Sequence, residues 1–137
     1  MRFYKQERPG TCQLIAVQHV WSYFGKEIST KEISRKLPKH SFGNFASELG
    51  LYFESYGFKT TLVSNQVSLK STNKPFLSSL EEYRKVGNFA KGFPNTAYFN
   101  TYPLAVVNVD WYKISPLKGG PGGHYVVLVR EGSFFWL

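Results

Sequence analysis

This chain has one cysteine, Cys12, one aspartate, Asp110, and no apolar run of the length that a membrane span needs. A single cysteine excludes an intramolecular disulfide, and a membrane-spanning helix needs about 20 consecutive apolar residues. The chain also lacks the charged and then apolar leader of a secreted protein. We therefore expect a protein of the reducing cytoplasm that is held together by its core.

Motifs for metals and phosphates are also lacking. The sequence has no CxxC, no HExxH and no cluster of His and acidic residues at ligand spacing. The glycine-rich run "GGPGG" precedes a predicted strand and is not followed by a lysine and a helix, so it does not form a phosphate-binding loop. We expect neither a metal ion nor a cofactor.

Aromatic residues and positive charge are abundant. Aromatics make up 18% of the 137 residues, which is enough large apolar surface for one core, and we expect a single domain over 1–137. The net charge of +8 leaves open an acidic partner such as nucleic acid or an anionic membrane surface. The basic residues between Lys26 and Lys39 are not interleaved with aromatics, as single-strand binding would need. This pattern favours an ordinary solvated face over nucleic-acid binding.

The first two predicted helices have clear end signals. Apolar residues recur at three- and four-residue steps after Cys12, and Gly25 follows them as a C-cap. Ser29 and Glu32 have the spacing of a capping box at the start of a second helix, which Pro38 ends.

Two further helices and four strands follow. The third helix has Asn44 as its predicted N-cap and Gly57 as its C-cap, and a fourth covers "PFLSSLEEYRKVG" up to Gly87. The segments "FKTTLVS", "LAVVNVDW", "HYVVLV" and "SFFWL" are rich in β-branched and aromatic residues and predict strands. Helices followed by an antiparallel sheet indicate an α+β domain.

Cys12 and one histidine are candidates for covalent chemistry. A cysteine at a helix N-terminus is favoured as the nucleophilic thiolate, and it needs a base. His19 lies inside the first helix and His40 in a polar turn, so both are interpreted as structural. His124 opens a strand after a glycine-rich run and is the candidate base. The alternative is a free buried cysteine that acts as a small apolar residue.

Several motifs resemble those of one enzyme family. Gln6 lies six residues before Cys12, "YFG" closes the first helix, and "GHYVVLV" contains His124. In these features the chain resembles the bacteriocin-processing, double-glycine-leader cysteine peptidases, which are papain-like. The resemblance extends from Gln6 to the C-terminus except over 65–99. It implies a papain-like fold in which N-terminal helices pack on a C-terminal antiparallel sheet.

The resemblance also implies a catalytic role for each of three residues. Cys12 would attack the scissile carbonyl, and His124 would accept the thiol proton and return it to the leaving amine. The Gln6 amide and the Cys12 N–H would stabilise the oxyanion, where one donor is typically worth about 3 kcal/mol of barrier. Many members have Gly-Pro directly after the cysteine, where this chain has Gln13 and Leu14.

A third residue is expected to orient the histidine. In the family, an Asp or Asn does so at the end of the strand that follows the histidine strand, which here would lie just beyond Leu137. Asn108 and Asp110, upstream of His124, are further candidates.

The sequence therefore predicts a cysteine peptidase that acts on a peptide or protein substrate, with a double-glycine leader as one candidate. A catalytically silent peptide-binding domain of the same fold is the first alternative. A basic module that binds nucleic acid or a membrane surface is the second.

Overall fold

The computed structural model describes residues 2–6, 8, 10–40, 43–64, 74–92, 96–110, 123–131 and 134–136. It mixes helices and strands, as an α+β prediction requires, in two compact units: Met1–Ser34 with Thr96–Leu137, and Arg35–Asn95. The elements are, in chain order, α1 (Cys12–Tyr23), α2 (Thr30–Lys36), α3 (Ala46–Ser55), β1 (Thr61–Ser64), α4 (Lys74–Val86), β2 (Asn88–Lys91), α5 (Thr96–Thr101), β3 (Leu104–Asp110), β4 (Gly123–Glu131) and β5 (Phe134–Trp136).

Helix α1 begins at Cys12 and ends as its sequence predicts. Gly25 has a φ of +78°, the left-handed conformation that a residue with a Cβ rarely adopts. Its N–H donates to Ser22 O at 3.0 Å, and the Lys26 N–H donates to Trp21 O at 2.9 Å. These two bonds form a Schellman motif, which satisfies carbonyls at the helix end.

The predicted capping box of helix α2 is confirmed. The Glu32 N–H donates to Ser29 Oγ at 3.2 Å, and the Ser29 N–H donates to Glu32 Oε2 at 3.1 Å. The helix ends at Lys36, before Pro38, because proline disfavours helical backbone at the residue that precedes it.

Helix α3 ends at Ser55, and the predicted terminating glycine, Gly57, follows with a φ of +87°. The predicted N-cap is wrong. Phe45 occupies the N-cap position, and its N–H donates to Glu48 Oε1 at 2.9 Å. The side chain of Asn44 instead donates to Pro38 O at 2.7 Å and to the same Glu48 oxygen at 3.3 Å. The turn before the helix thus uses the amide that the prediction had assigned to capping.

The unit Arg35–Asn95 contains a parallel strand pair that the sequence did not predict. Strand β1, predicted within "FKTTLVS", pairs in parallel with β2, and Thr61 lies opposite Asn88. Helix α4 connects them and begins at Lys74, one residue before the proline predicted to start it. The described helices and strands of this unit contact one another through α3–α4, α3–β1 and α4–β2.

Tyr83 of helix α4 is fully buried and packs directly against Gly50 of helix α3. A Cβ on Gly50 would lie 2.5 Å from the Tyr83 ring. We expect Gly50→Ala to lower the free energy of unfolding by about 1–3 kcal/mol, because overpacking costs more than the better helix propensity of alanine gains. Urea denaturation measures the change.

The control for this prediction is the same substitution in a Tyr83→Leu background. Without the ring, Gly50→Ala is expected to be close to neutral, since the clash is its only large cost. Equal destabilisation in both backgrounds would contradict the proposed clash.

The C-terminal sheet confirms the antiparallel prediction. Strand β4 is central and pairs with β3 on one side and β5 on the other. Helix α1 packs against β4, in the same unit. Buried and half-buried residues alternate along β4: Tyr125, Val127 and Val129 are buried, while His124 is half-buried. The predicted strand residue Trp111, the run "GGPGG" up to Gly122, and Leu137 lie outside the described residues.

Candidate functional site

The N-terminal segment 2–6 lies along helix α1 and is held there by polar contacts. The Arg2 guanidinium pairs with Glu27 at 2.9 Å, and the Arg2 N–H donates to Ser22 Oγ. The Tyr4 N–H donates to His19 Nε2 at 2.8 Å. Arg2 contacts residues near and beyond the end of α1, whereas Tyr4 contacts His19, which lies earlier in the helix. The segment therefore runs back toward the first turn of α1.

The loop before Cys12 is organised around one carbonyl. Arg8 O accepts the Gln6 Nε2–H at 2.8 Å and the Thr11 hydroxyl at 2.7 Å. A glutamine amide has two N–H groups, and the bond to Arg8 uses one of them. Gln6 is therefore oriented by the loop and has a second N–H that this contact does not use.

Thr11 is the N-cap of α1, but its side chain does not cap the helix. The first helical carbonyl, Thr11 O, receives the N–H groups of Leu14 and Ile15 at 3.0 and 3.2 Å. The N–H groups of Cys12 and Gln13 come before this first bonded turn, and such groups have no partner within a helix. The Cys12 side chain thus lies beside backbone donors and the positive end of the helix dipole.

The Cys12 thiol is half-buried and contacts its neighbour. Its Sγ donates to Gln13 Oε1 at 3.7 Å, a weak bond that belongs to the protonated thiol. Gln13 itself is buried. Loss of the proton would remove this bond, so a thiolate would need the Gln13 amide to turn its N–H₂ toward the sulfur.

His124 lies near the start of β4, opposite Val109 of β3. Residues that are directly opposite in an antiparallel pair have their side chains on the same face, and neighbouring residues alternate. The register therefore puts the Asn108 side chain on the face opposite His124, which argues against Asn108 as the residue that orients the imidazole. Asp110 pairs with Gly123, and its side chain lies outside the described residues, as does the position beyond Leu137.

The structure places all three predicted catalytic residues on one cavity. Gln6, Cys12 and His124 line a cavity of about 600 Å³ in the unit formed by Met1–Ser34 and Thr96–Leu137. Each comes from a different element: the N-terminal segment, the first turn of α1, and the start of β4. Chain segments more than 100 residues apart thus meet at the same cavity.

One face of helix α1 forms a wall of this cavity. Cys12, Ile15, His19 and Tyr23 line it, at the three- to four-residue spacing of a helix face. Phe3 and Tyr4 and several residues of β4 line the rest, so much of the wall is apolar or aromatic.

Sequence reasoning missed His19 as a residue of this cavity. It lies seven residues after Cys12, on the same helix face, and this spacing was the signal that could have found it. Burial lowers the pKa of His19 below its ordinary value of 6.5. The Nε2 that receives the Tyr4 N–H must carry a lone pair, so the neutral ring holds its proton at Nδ1.

His40 has a structural contact, consistent with its interpretation as a structural residue. Its Nε2 lies 2.8 Å from Oε2 of the buried Glu48 carboxylate. Both residues belong to the unit Arg35–Asn95. The pair ties the turn before α3 to the first turn of that helix.

The described residues contain neither a metal-binding group nor a membrane-spanning helix. This part of the chain has no group of three or more His, Cys, Asp and Glu side chains placed to hold a metal ion. None of its helices is long and apolar enough to cross a membrane. The chain matches no family model, no curated protein and no solved structure.

Proposed function

We propose that this protein is a cysteine peptidase of papain-like architecture. The observation that carries the proposal is that Gln6, Cys12 and His124 line one cavity. The packing of α1, which begins at the cysteine, on β4, which carries the histidine, supports the same architecture. The resemblance of these motifs to the double-glycine-leader peptidases makes a peptide or protein the substrate.

Each residue has a defined task in this reaction. His124 takes the Cys12 proton, and the thiolate attacks the scissile carbonyl to form a tetrahedral intermediate. The second Gln6 N–H and the Cys12 backbone N–H donate to its oxyanion. His124 returns the proton to the leaving amine, and water then releases the acyl group from Cys12. A reducing compartment such as the cytoplasm would keep the thiol available.

The reactivity of the thiol tests this proposal. Cys12 is expected to react with iodoacetamide at pH 6, where an ordinary cysteine is almost entirely protonated, because His124 and the start of α1 stabilise its thiolate. His124→Ala is expected to slow this labelling at least tenfold. Mass spectrometry follows the reaction, and since Cys12 is the one cysteine, every label reports on it.

His40→Gln is the matched control because His40 contacts Glu48 in the other compact unit. It should leave the labelling rate at pH 6 unchanged. Labelling that rises only near pH 8.5, and does so equally in all three proteins, would make Cys12 an ordinary thiol and remove the basis for the peptidase.

A catalytically silent peptide-binding domain is the second candidate. The contact between the Cys12 thiol and Gln13 Oε1 favours it, because this contact stabilises the protonated, unreactive sulfur. Such a domain would bind a leader-like peptide without cleaving it. Peptide binding by a protein whose thiol titrates as an ordinary cysteine would select this candidate.

A further inference from the structure

The N-terminal segment lines the cavity with Phe3, Tyr4 and Gln6 and is docked on helix α1. The contacts made by Arg2 and by Tyr4 differ in kind. The Arg2–Glu27 ion pair is exposed, with side-chain exposures of 65% and 68%, and exposed pairs contribute little to stability. The bond from the Tyr4 N–H to His19 Nε2 is partly buried and lies two residues before Gln6. Of the polar contacts that hold the segment on α1, this second one lies nearest to Gln6 along the chain, and it acts together with the bond from Gln6 to Arg8 O.

The hydrogen bond that His19 Nε2 accepts comes from the N-terminal segment and not from the thiol. Seven residues of α-helix separate His19 from Cys12, which corresponds to about 10 Å along the axis. The His19 ring also packs against aromatic rings of the segment. The ring centroids of Phe3 and Tyr4 lie 6.1 and 5.7 Å from the centroid of the His19 ring. His19 thus supports the segment that carries Gln6.

We propose that His19 is a positioning residue, whose neutral imidazole holds the Tyr4 backbone and thereby keeps Gln6 at the cavity. An imidazolium has no lone pair at Nε2, so protonation replaces the accepted hydrogen bond with two facing donors. The segment is then released from α1, and Gln6 keeps only its bond to Arg8 O to orient it at the cavity. This role rests on the proposed function only for its effect on cleavage, since the docking itself is independent of catalysis.

The sign of the pH dependence follows from burial. The lowered pKa of His19 means that the released segment binds a proton more readily than the docked one. Docking is therefore fully present above about pH 6.5, the ordinary pKa of histidine, and is lost as the pH falls through the lowered pKa of His19.

Other titratable groups face the same cavity. They are Tyr4 on the segment, Cys12 and Tyr23 on α1, and His124 and Tyr125 on β4, and the Arg2–Glu27 pair lies at the far end of the segment. Among these cavity groups only His124 is of a type that ordinarily titrates near His19. The experiment must therefore separate the two histidines.

Amide hydrogen exchange at Tyr4, measured by NMR from pH 7.5 to 4.5 and corrected for the intrinsic rate, tests the docking. In the parent protein, protection is expected to fall five- to tenfold with a midpoint below pH 6.5, the change expected for one hydrogen bond. His19→Gln keeps an acceptor that does not titrate and should stay protected throughout. His19→Leu should be unprotected at every pH, and His124→Ala should behave as the parent does.

Two results would overturn the proposed role of His19 as a positioning residue. One is equal protection of the Tyr4 amide in the parent and in His19→Leu. The other is loss of the pH dependence in His124→Ala. In the parent, the ¹⁵N spectrum of the His19 ring should also show the Nδ1–H tautomer at pH 7.5, and an Nε2–H tautomer would contradict the hydrogen bond.

Cleavage kinetics test the link to Gln6. His19→Leu should lower kcat by up to the same factor as Gln6→Ala, and the double variant should be no slower than Gln6→Ala alone. If the two substitutions lower kcat multiplicatively in the double variant, His19 acts on catalysis independently of Gln6. A parent protein that shows the Tyr4 exchange pattern but cleaves no peptide would overturn the proposed function. The hydrogen bond from Tyr4 to His19 would still be supported as the contact that docks the segment.

Discussion

Replacing His124 with alanine is expected to lower the rate of peptide cleavage by roughly 10³- to 10⁴-fold. In the proposed mechanism the imidazole both removes the Cys12 proton and protonates the leaving amine, and no other described residue of the cavity is assigned either step. Cys12→Ala should abolish cleavage as fully, because it removes the atom that forms the acyl bond. The measurement is kcat/KM on a leader-like peptide that ends in two small residues.

The matched control for this prediction is again His40→Gln, which changes a histidine that lies outside the cavity. It should cleave at the parent rate, provided that circular dichroism shows an unchanged fold. A His124→Ala protein that cleaves within tenfold of the parent would place the base elsewhere.

Replacing Gln6 with alanine is expected to lower kcat about a hundredfold and to leave KM nearly unchanged. An oxyanion donor interacts with charge that exists only in the transition state, so its loss affects turnover rather than binding. Lys5→Ala, an exposed neighbour in the same segment, is the control and should cleave normally.

Alkylation distinguishes this role from a structural one. Gln6 also donates to Arg8 O in the loop before Cys12, so its loss could disturb the thiol instead. Iodoacetamide forms no oxyanion on a carbonyl, and the Gln6→Ala protein should therefore be labelled at the parent rate. Labelling that slows as much as cleavage does would mean that Gln6 only supports the loop.

Much of the local structure could be predicted from the sequence because it depends on neighbouring residues. The capping box of Ser29 and Glu32 and the left-handed Gly25 each involve groups within about five positions of one another. Such contacts form whenever the helix does. The antiparallel order of the C-terminal strands was similarly indicated by their composition and spacing.

Pairings between distant segments could not be predicted in this way. Strand β2 has four residues and no clear alternation, and it is a strand because helix α4 returns the chain to the side of β1. Asn44 fits an N-cap locally, but Pro38 O and Glu48 compete for its amide. In both cases a partner far along the chain, or a turn geometry, outweighed the local preference.

The candidate site divides in the same manner. The sequence by itself determined the chemistry: one thiol at a helix start, one histidine at a strand start, and a glutamine six residues before the thiol. Only the tertiary structure decided that these three share a cavity, and that His19 lies beside them while Asn108 is on the other sheet face. The reason is physical. The packing of α1 on β4 joins segments that lie more than 100 residues apart in the chain, and the register of β3 with β4 is set by pairing across the intervening segment, and no local pattern encodes either.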